Sequence, residues 1–192
     1  MKRQIAFIAA AALAAVLLVL PAFGEEKPKS EYFSAVWAVV GSSLGGSTMP
    51  IDIRVDRYNT DEDMKKLADL LVEGGQDKLL RALEKEDVGQ VSPVGRIGTP
   101  LAVARKFVQG NKTIIRLAAA RDMAFVELRR SGRSVDYPYT ILQLELDEKG
   151  NGTGTAITAA RIRFNKKENV YEIESLHHGS NYHKLMNVRT MK

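Results

Sequence analysis

The sequence predicts an α+β fold, mainly antiparallel β, in which a sandwich or barrel-like sheet of roughly eight to ten strands receives a two-helix hairpin near residues 61–86. Three observations lead there. Short apolar-alternating runs recur along most of the chain, separated by turn residues and without strand–helix alternation. One stretch, from Thr60 to Glu86, changes to a helical period. The chain has no cysteine, so disulfides, thiolate catalysis and Cys-based zinc sites are excluded together.

The first residues are expected to lie outside the fold. Lys2 and Arg3 precede an apolar run of 16 residues, Ile5 to Leu20, followed by Pro21 and the small residues Ala22 and Gly24. That order is a secretory signal peptide over residues 1–24, with cleavage before Glu25. The run is shorter than the roughly 20 residues of a spanning helix. Lys2 and Arg3 are the only charges removed, so the formal charge falls from +5 to +3. That modest, dispersed excess favours solubility and argues against a nucleic-acid partner. Residues 25–30 read as a solvated linker, and residues 31–192 as a single domain with no second membrane span.

Taken in order, Tyr32–Val40 is rich in β-branched and aromatic residues and reads as a buried strand, followed by a Gly/Ser loop over 41–48. Ile51, Ile53 and Val55 alternate with Asp52, Arg54 and Asp56, as on a strand with one wet face. Thr60 is a good N-cap, and Asp61, Glu62 and Asp63 suit the first turn of a helix. Met64, Leu67, Ala68 and Leu71 form one stripe and Leu79, Leu80 and Leu83 a second, with Gly74-Gly75 expected to turn the chain between two helices. Further strands are expected at Gln90–Val94, Leu101–Phe107, Thr113–Ala120, Ala124–Arg129, Thr140–Leu146, Gly154–Phe164, Val170–Ser175 and Lys184–Val188. Leu142, Leu144 and Leu146 share one strand face, as do Ala160, Ile162 and Phe164, and Tyr171 and Ile173.

Four groups of residues could carry chemistry. Gly41-Ser42-Ser43-Leu44-Gly45 matches the G-x-S-x-G pattern, but a nucleophile elbow needs a helix directly after the serine, and Gly46-Ser47-Thr48-Met49-Pro50 cannot begin one. His177, His178 and His183 are the only histidines and fall within seven residues, the best metal-ligand candidates in a chain without cysteine. They lack H-x-H or H-E-x-x-H spacing, and adjacent strand residues point apart, so they are expected in or beside a surface loop before the last strand. Arg129, Arg130 and Arg133 cluster near Tyr137 and Tyr139, a combination suited to gripping anionic or sugar ligands or a protein surface. Asp147 to Gly152 faintly resembles a calcium loop, but Lys149 stands where an acid belongs, and a hairpin turn accounts for it.

Gly132-Arg133-Ser134-Val135-Asp136-Tyr137-Pro138, Leu144-Glu145-Leu146-Asp147 with Gly150, Gly152 and Gly154, and the closing Asn187-Val188-Arg189 together resemble a group of uncharacterised exported bacterial proteins. The resemblance covers about a third of the chain and implies export and a β-rich C-terminal half. It implies no catalytic residue. No residue set supplies a general acid, a base and an oxyanion donor together, and no cofactor is expected. The expected function is therefore a non-enzymatic binding or interaction protein of the bacterial envelope or exterior, periplasmic or extracellular, whose partner is an envelope protein, a glycan or a small ligand. The alternatives are a lipocalin-like carrier with an apolar ligand inside a barrel, or a hydrolase or metal-dependent enzyme built on His177, His178 and His183 or on Ser43.

Overall fold

The computed structural model describes residues 29–39, 47–120, 136–176 and 183–191. Among the described residues, ten strands and one helix follow the order β1 (Glu31–Val39), β2 (Ser47–Val55), α1 (Asp61–Leu83), β3 (Gly89–Pro93), β4 (Thr99–Leu101), β5 (Val103–Gln109), β6 (Lys112–Ala119), β7 (Tyr139–Leu146), β8 (Asn151–Asn165), β9 (Val170–Ser175) and β10 (His183–Met191). Every pairing is antiparallel, and the strand order is β4-β3-β2-β1-β10-β8-β7-β6-β5, with β9 added to the far half of β8.

The two ends of that order meet. Only Ala102 separates β4 from β5, so one run of chain pairs β3 through Gly89↔Leu101 and β6 through Val103↔Ala118. The Ala102 N–H donates to the Ala118 carbonyl at 2.8 Å and carries the ladder across the corner. Beyond the corner β5 leaves β3, and Asn59 takes over the exposed edge. Its backbone N–H donates to the Ala104 carbonyl and its side-chain oxygen accepts from the Ala104 N–H, both at 2.8 Å. Farther along, Lys106 reaches Glu31 at 2.8 Å while the Tyr58 hydroxyl donates to the same carboxylate at 3.1 Å. The sheet is thus a nearly closed barrel, sealed by backbone at one end of its seam and by side chains at the other.

Alternation along the strands sorts residues into two apolar layers. Phe33, Ala35 and Trp37 of β1, Ile51, Ile53 and Val55 of β2, Ile115 and Leu117 of β6, Leu142, Leu144 and Leu146 of β7 and Leu185 of β10 point inward and fill the barrel. Residues of opposite parity on β5 to β8, including Val103, Ala118, Tyr139, Ile141 and Ile157, face outward and are covered by Met64, Leu67, Leu71, Leu79, Leu80 and Leu83 of α1. The helix therefore lies on the barrel wall and gives those strands a second buried face.

Thr60 caps this helix as expected. Its hydroxyl accepts from the Asp63 N–H at 3.2 Å, and the Asp63 carboxylate accepts from the Thr60 N–H at 3.0 Å, a complete capping box. The two-helix hairpin expected around Gly74-Gly75 does not form; one kinked helix takes its place. A helical hairpin needs a loop of roughly 2–5 residues, whereas Gly75 alone leaves helical geometry, at φ 67° and ψ −164°. That conformation is essentially restricted to glycine. The chain then resumes its helix, so both predicted stripes stay on the same bed of strands.

Beyond its contacts with β7 and β10, β8 continues as an arm paired, among the described strands, with β9 alone. Ala159, at φ 58°, marks the irregularity between the two halves of β8. Ile162 and Phe164 continue the outward apolar face, and the Phe164 and Tyr171 rings lie 5.0 Å apart. Tyr171 and Ile173 remain about half exposed.

Candidate functional site at one end of the barrel

Strand register brings several chain ends together. Val39 pairs with both Ser47 and His183, His183 with Ala156, Ala119 with Thr140, and Tyr139 with Ala160. The last residues of β1 and β6 and the first residues of β2, β7 and β10 thus share one end of the barrel. Three buried polar side chains, Thr140, Thr158 and His183, stand at this end beside the apolar Ala119 and Ala156.

Trp37 and His183 form the base of the polar layer, each 2 % exposed. The Trp37 indole N–H donates to His183 Nδ1 at 2.7 Å, and the rings meet edge to face, 5.5 Å between centroids and 73° between planes. An indole nitrogen can only donate, so Nδ1 must accept and the proton of the neutral imidazole sits on Nε2. Nε2 then donates to the Thr158 hydroxyl across 3.4 Å, a long contact. Protonation of Nδ1 is incompatible with the Trp37 contact, because the ring would present two donors.

Thr140 lies across the sheet from this row, within the irregular stretch between the pairs Tyr139↔Ala160 and Ile141↔Ile157. It has the inward parity of Leu142, and it is completely buried. Its hydroxyl makes no hydrogen bond. Past the Ala159 irregularity, Arg161 is the next residue of β8 on the face opposite Ala160, Ile162 and Phe164. That places it on the inward side, one residue past the last β8 residue paired with β7. Arg161 is half-buried, its Nε is buried without a hydrogen bond, and it has no ion-pair partner among the described residues. Glu174 stands opposite Arg161 in register, but its carboxylate accepts from Arg163 at 2.8 Å. Glu172 accepts from Asn165 at 2.8 Å.

Of the candidate site residues singled out from sequence, Tyr137, Tyr139 and His183 lie among the described residues. Arg129, Arg130, Arg133, Ser43, His177 and His178 lie outside the described residues. Tyr137 is half-buried in the segment leading into β7. Tyr139 opens β7 but faces outward beneath α1, where its hydroxyl donates to the Gln76 carbonyl at 3.3 Å. Burial, reinforced by the nearby Asp77 and Glu84 carboxylates, pushes its phenol well above the usual tyrosine range. His183 opens β10 inside the barrel, not on a surface loop. Among the described residues, no group of three or more His, Asp or Glu side chains is placed to hold a metal ion.

Trp37, Thr140, Thr158 and Arg161 were not identified as site residues from the sequence. One signal was available for Arg161: once Ala160, Ile162 and Phe164 share a face, Arg161 and Arg163 must share the other. A recess of about 300 Å³ lies at the C-terminal end of α1 and is lined by Leu83, Glu84, Glu86, Pro100, Ala102 and Ala120. Glu86 there is already paired with Arg57 at 2.7 Å.

No family model, curated protein or solved structure matches this chain significantly.

Proposed function

We propose that the chain is a non-enzymatic binding protein of the bacterial envelope or exterior, exported by the segment 1–24, which takes a small polar ligand at the barrel end formed by Trp37, Thr140, Thr158, Arg161 and His183. The observation that carries this reading is the unpaired, fully buried hydroxyl of Thr140, on the strand next to Arg161, whose Nε is likewise buried without a hydrogen bond. Buried polar groups normally have partners, and one left open costs about 1–3 kcal/mol. Barrel mouths are common ligand sites, with an apolar wall and a few polar groups that fix orientation. The packed interior below this layer supports a ligand held at the mouth in preference to an apolar molecule held inside.

Native mass spectrometry of the mature protein purified from its own host tests the reading. The expected result is a bound small polar molecule that is lost or strongly depleted in Thr140→Val. Wild-type protein with no bound species would overturn the proposal. So would an apolar lipid retained equally by both proteins, which would return the carrier reading to first place, or a tightly bound metal, which would favour an enzyme.

A further inference from the structure

We infer that Arg161 is an anion receptor and that the ligand of the barrel end carries a carboxylate. The inference rests on the proposed mouth site and adds the chemistry that the site selects. A half-buried guanidinium without an acid is unfavourable by itself, since a charge removed from water needs a partner. Arg161 is in that position, while Arg163, two residues along the same strand face, is paired with Glu174. The carboxylate nearest Arg161 in register is therefore already engaged, and the receptor stays open to an incoming anion.

The local charge decides which anion. On the β8–β9 face that carries Arg161, Arg161 and Arg163 supply two positive charges and Glu172 and Glu174 two negative charges, with Lys166, Lys167 and Glu168 beyond it in the connecting turn. A dianionic phosphate would meet both carboxylates with no surplus of cations on that face to hold it. A single carboxylate fits better, because a guanidinium matches its two oxygens with two parallel N–H donors. Thr140, on the adjacent strand and the same inward face, offers a hydroxyl that needs a partner. Arg161 and Thr140 are near-diagonal neighbours across the β7–β8 pair, flanking Tyr139↔Ala160. Diagonal positions lie roughly 7–8 Å apart, within reach of an arginine side chain. One ligand group can therefore contact both.

The test uses butyrate as the carboxylate probe, butyramide as its neutral counterpart and inorganic phosphate as the rival anion. Binding to the full mature protein is followed by NMR chemical-shift titration. Wild type should bind butyrate saturably, and butyramide and phosphate at least about tenfold more weakly, as expected when a charge-assisted, bidentate contact is lost. Arg161→Gln should lose butyrate binding by about tenfold or more, and Arg161→Lys should recover only part of it, having the charge without the fork. Thermal melting of Arg161→Gln should be unchanged or raised, because an unpaired charge is removed; a purely structural arginine would show a lower melting temperature. Equal butyrate binding by wild type and Arg161→Gln would overturn the inference, as would phosphate binding tighter than butyrate. The native mass spectrum separates the two levels. If a host ligand is lost in Thr140→Val but fully retained in Arg161→Gln, the mouth site stands and the carboxylate assignment falls.

Discussion

Replacing His183 by leucine tests whether the Trp37–His183 contact holds the polar end of the barrel together. The contact is short, 2.7 Å, and is formed between residues 146 positions apart in the chain, linking the first and last strands of the barrel. Leucine has a volume close to that of histidine, so the cavity contribution is small. The main loss is the acceptor for a buried indole N–H. A net hydrogen bond contributes about 1 kcal/mol, and a donor left open in the interior costs about 1–3 kcal/mol. Part of this is offset by placing an apolar side chain in the core, which leaves an expected destabilisation of about 2 kcal/mol. For a domain of this size that is a fall in Tm of roughly 4–8 °C. Urea unfolding followed by the fluorescence of Trp37, the only tryptophan, measures both the stability change and the altered surroundings of the indole. His183→Gln serves as the control, because its amide oxygen can accept the same N–H, and it should recover part of the loss. A destabilisation below about 0.5 kcal/mol in His183→Leu, or equal losses in the two variants, would refute the reasoning.

Two further outcomes follow from particular contacts. In Gly152→Ala the added Cβ would lie 1.8 Å from the Glu145 carbonyl oxygen, where the β7–β8 pairing Leu146↔Gly152 leaves neither backbone free to retreat. It should destabilise the barrel by about 3 kcal/mol or more in urea unfolding, whereas Gly95→Ala, with open space and φ 74°, should lose only about 1 kcal/mol; similar losses would count against the clash. Tyr58 is held well above the usual tyrosine range by burial and then by the Glu31 carboxylate, and Tyr139 likewise by burial. Because folding raises both values, the stability they contribute is complete below the unfolded value of about 10 and is lost progressively above it, as pH rises to the folded values. Melting temperatures should therefore drop on going from about pH 9 to about pH 11, less steeply in the double variant Tyr58→Phe/Tyr139→Phe, and phenolate absorbance in a pH titration should show both tyrosines ionising only with unfolding.

Most strands were legible because their signal is local; the run Ala124–Arg129 lies outside the described residues. Leu142, Leu144 and Leu146 alternate with polar or smaller residues, and their inward direction follows from period two alone. The helix start was legible for the same reason: Thr60 and Asp63 satisfy each other within one turn. Closure was not. A sandwich and a barrel share the same alternation, and what separates them here is Val39 meeting His183 and residues 99–109 being divided between β3 and β6. Neither contact leaves a local pattern. The hairpin expectation failed because two glycines suggest a reversal, while tertiary packing on the β5–β8 wall keeps both helical stripes aligned across Gly75. His183 was expected in or beside a surface loop before the last strand; its place at the start of β10 fits that, but its burial against Trp37 is announced by no nearby residue.

Buried polar groups in this barrel divide into those the fold accounts for and those it does not. Asn59 belongs to the first kind: its backbone N–H and side-chain oxygen both engage Ala104, and without it the free edge of β5 would lose its partners. Trp37 and His183 belong there too, since each answers the other. Thr140 and Arg161 are different. Valine or glutamine would fill the same spaces with no open hydroxyl and no unpaired charge, so packing gives no reason for the residues present. The third buried orphan, the Gln76 side-chain oxygen, lies beside the helix kink, where the same amide already donates to the Asp136 carbonyl at 3.0 Å. Its half-made state comes with a structural contact. Thr140 and Arg161 have none among the described residues, and they stand on adjacent strands, on one face, at one end of the barrel. Two polar groups without partners, so close in register, support the proposal of an acceptor brought from outside over two independent defects in packing.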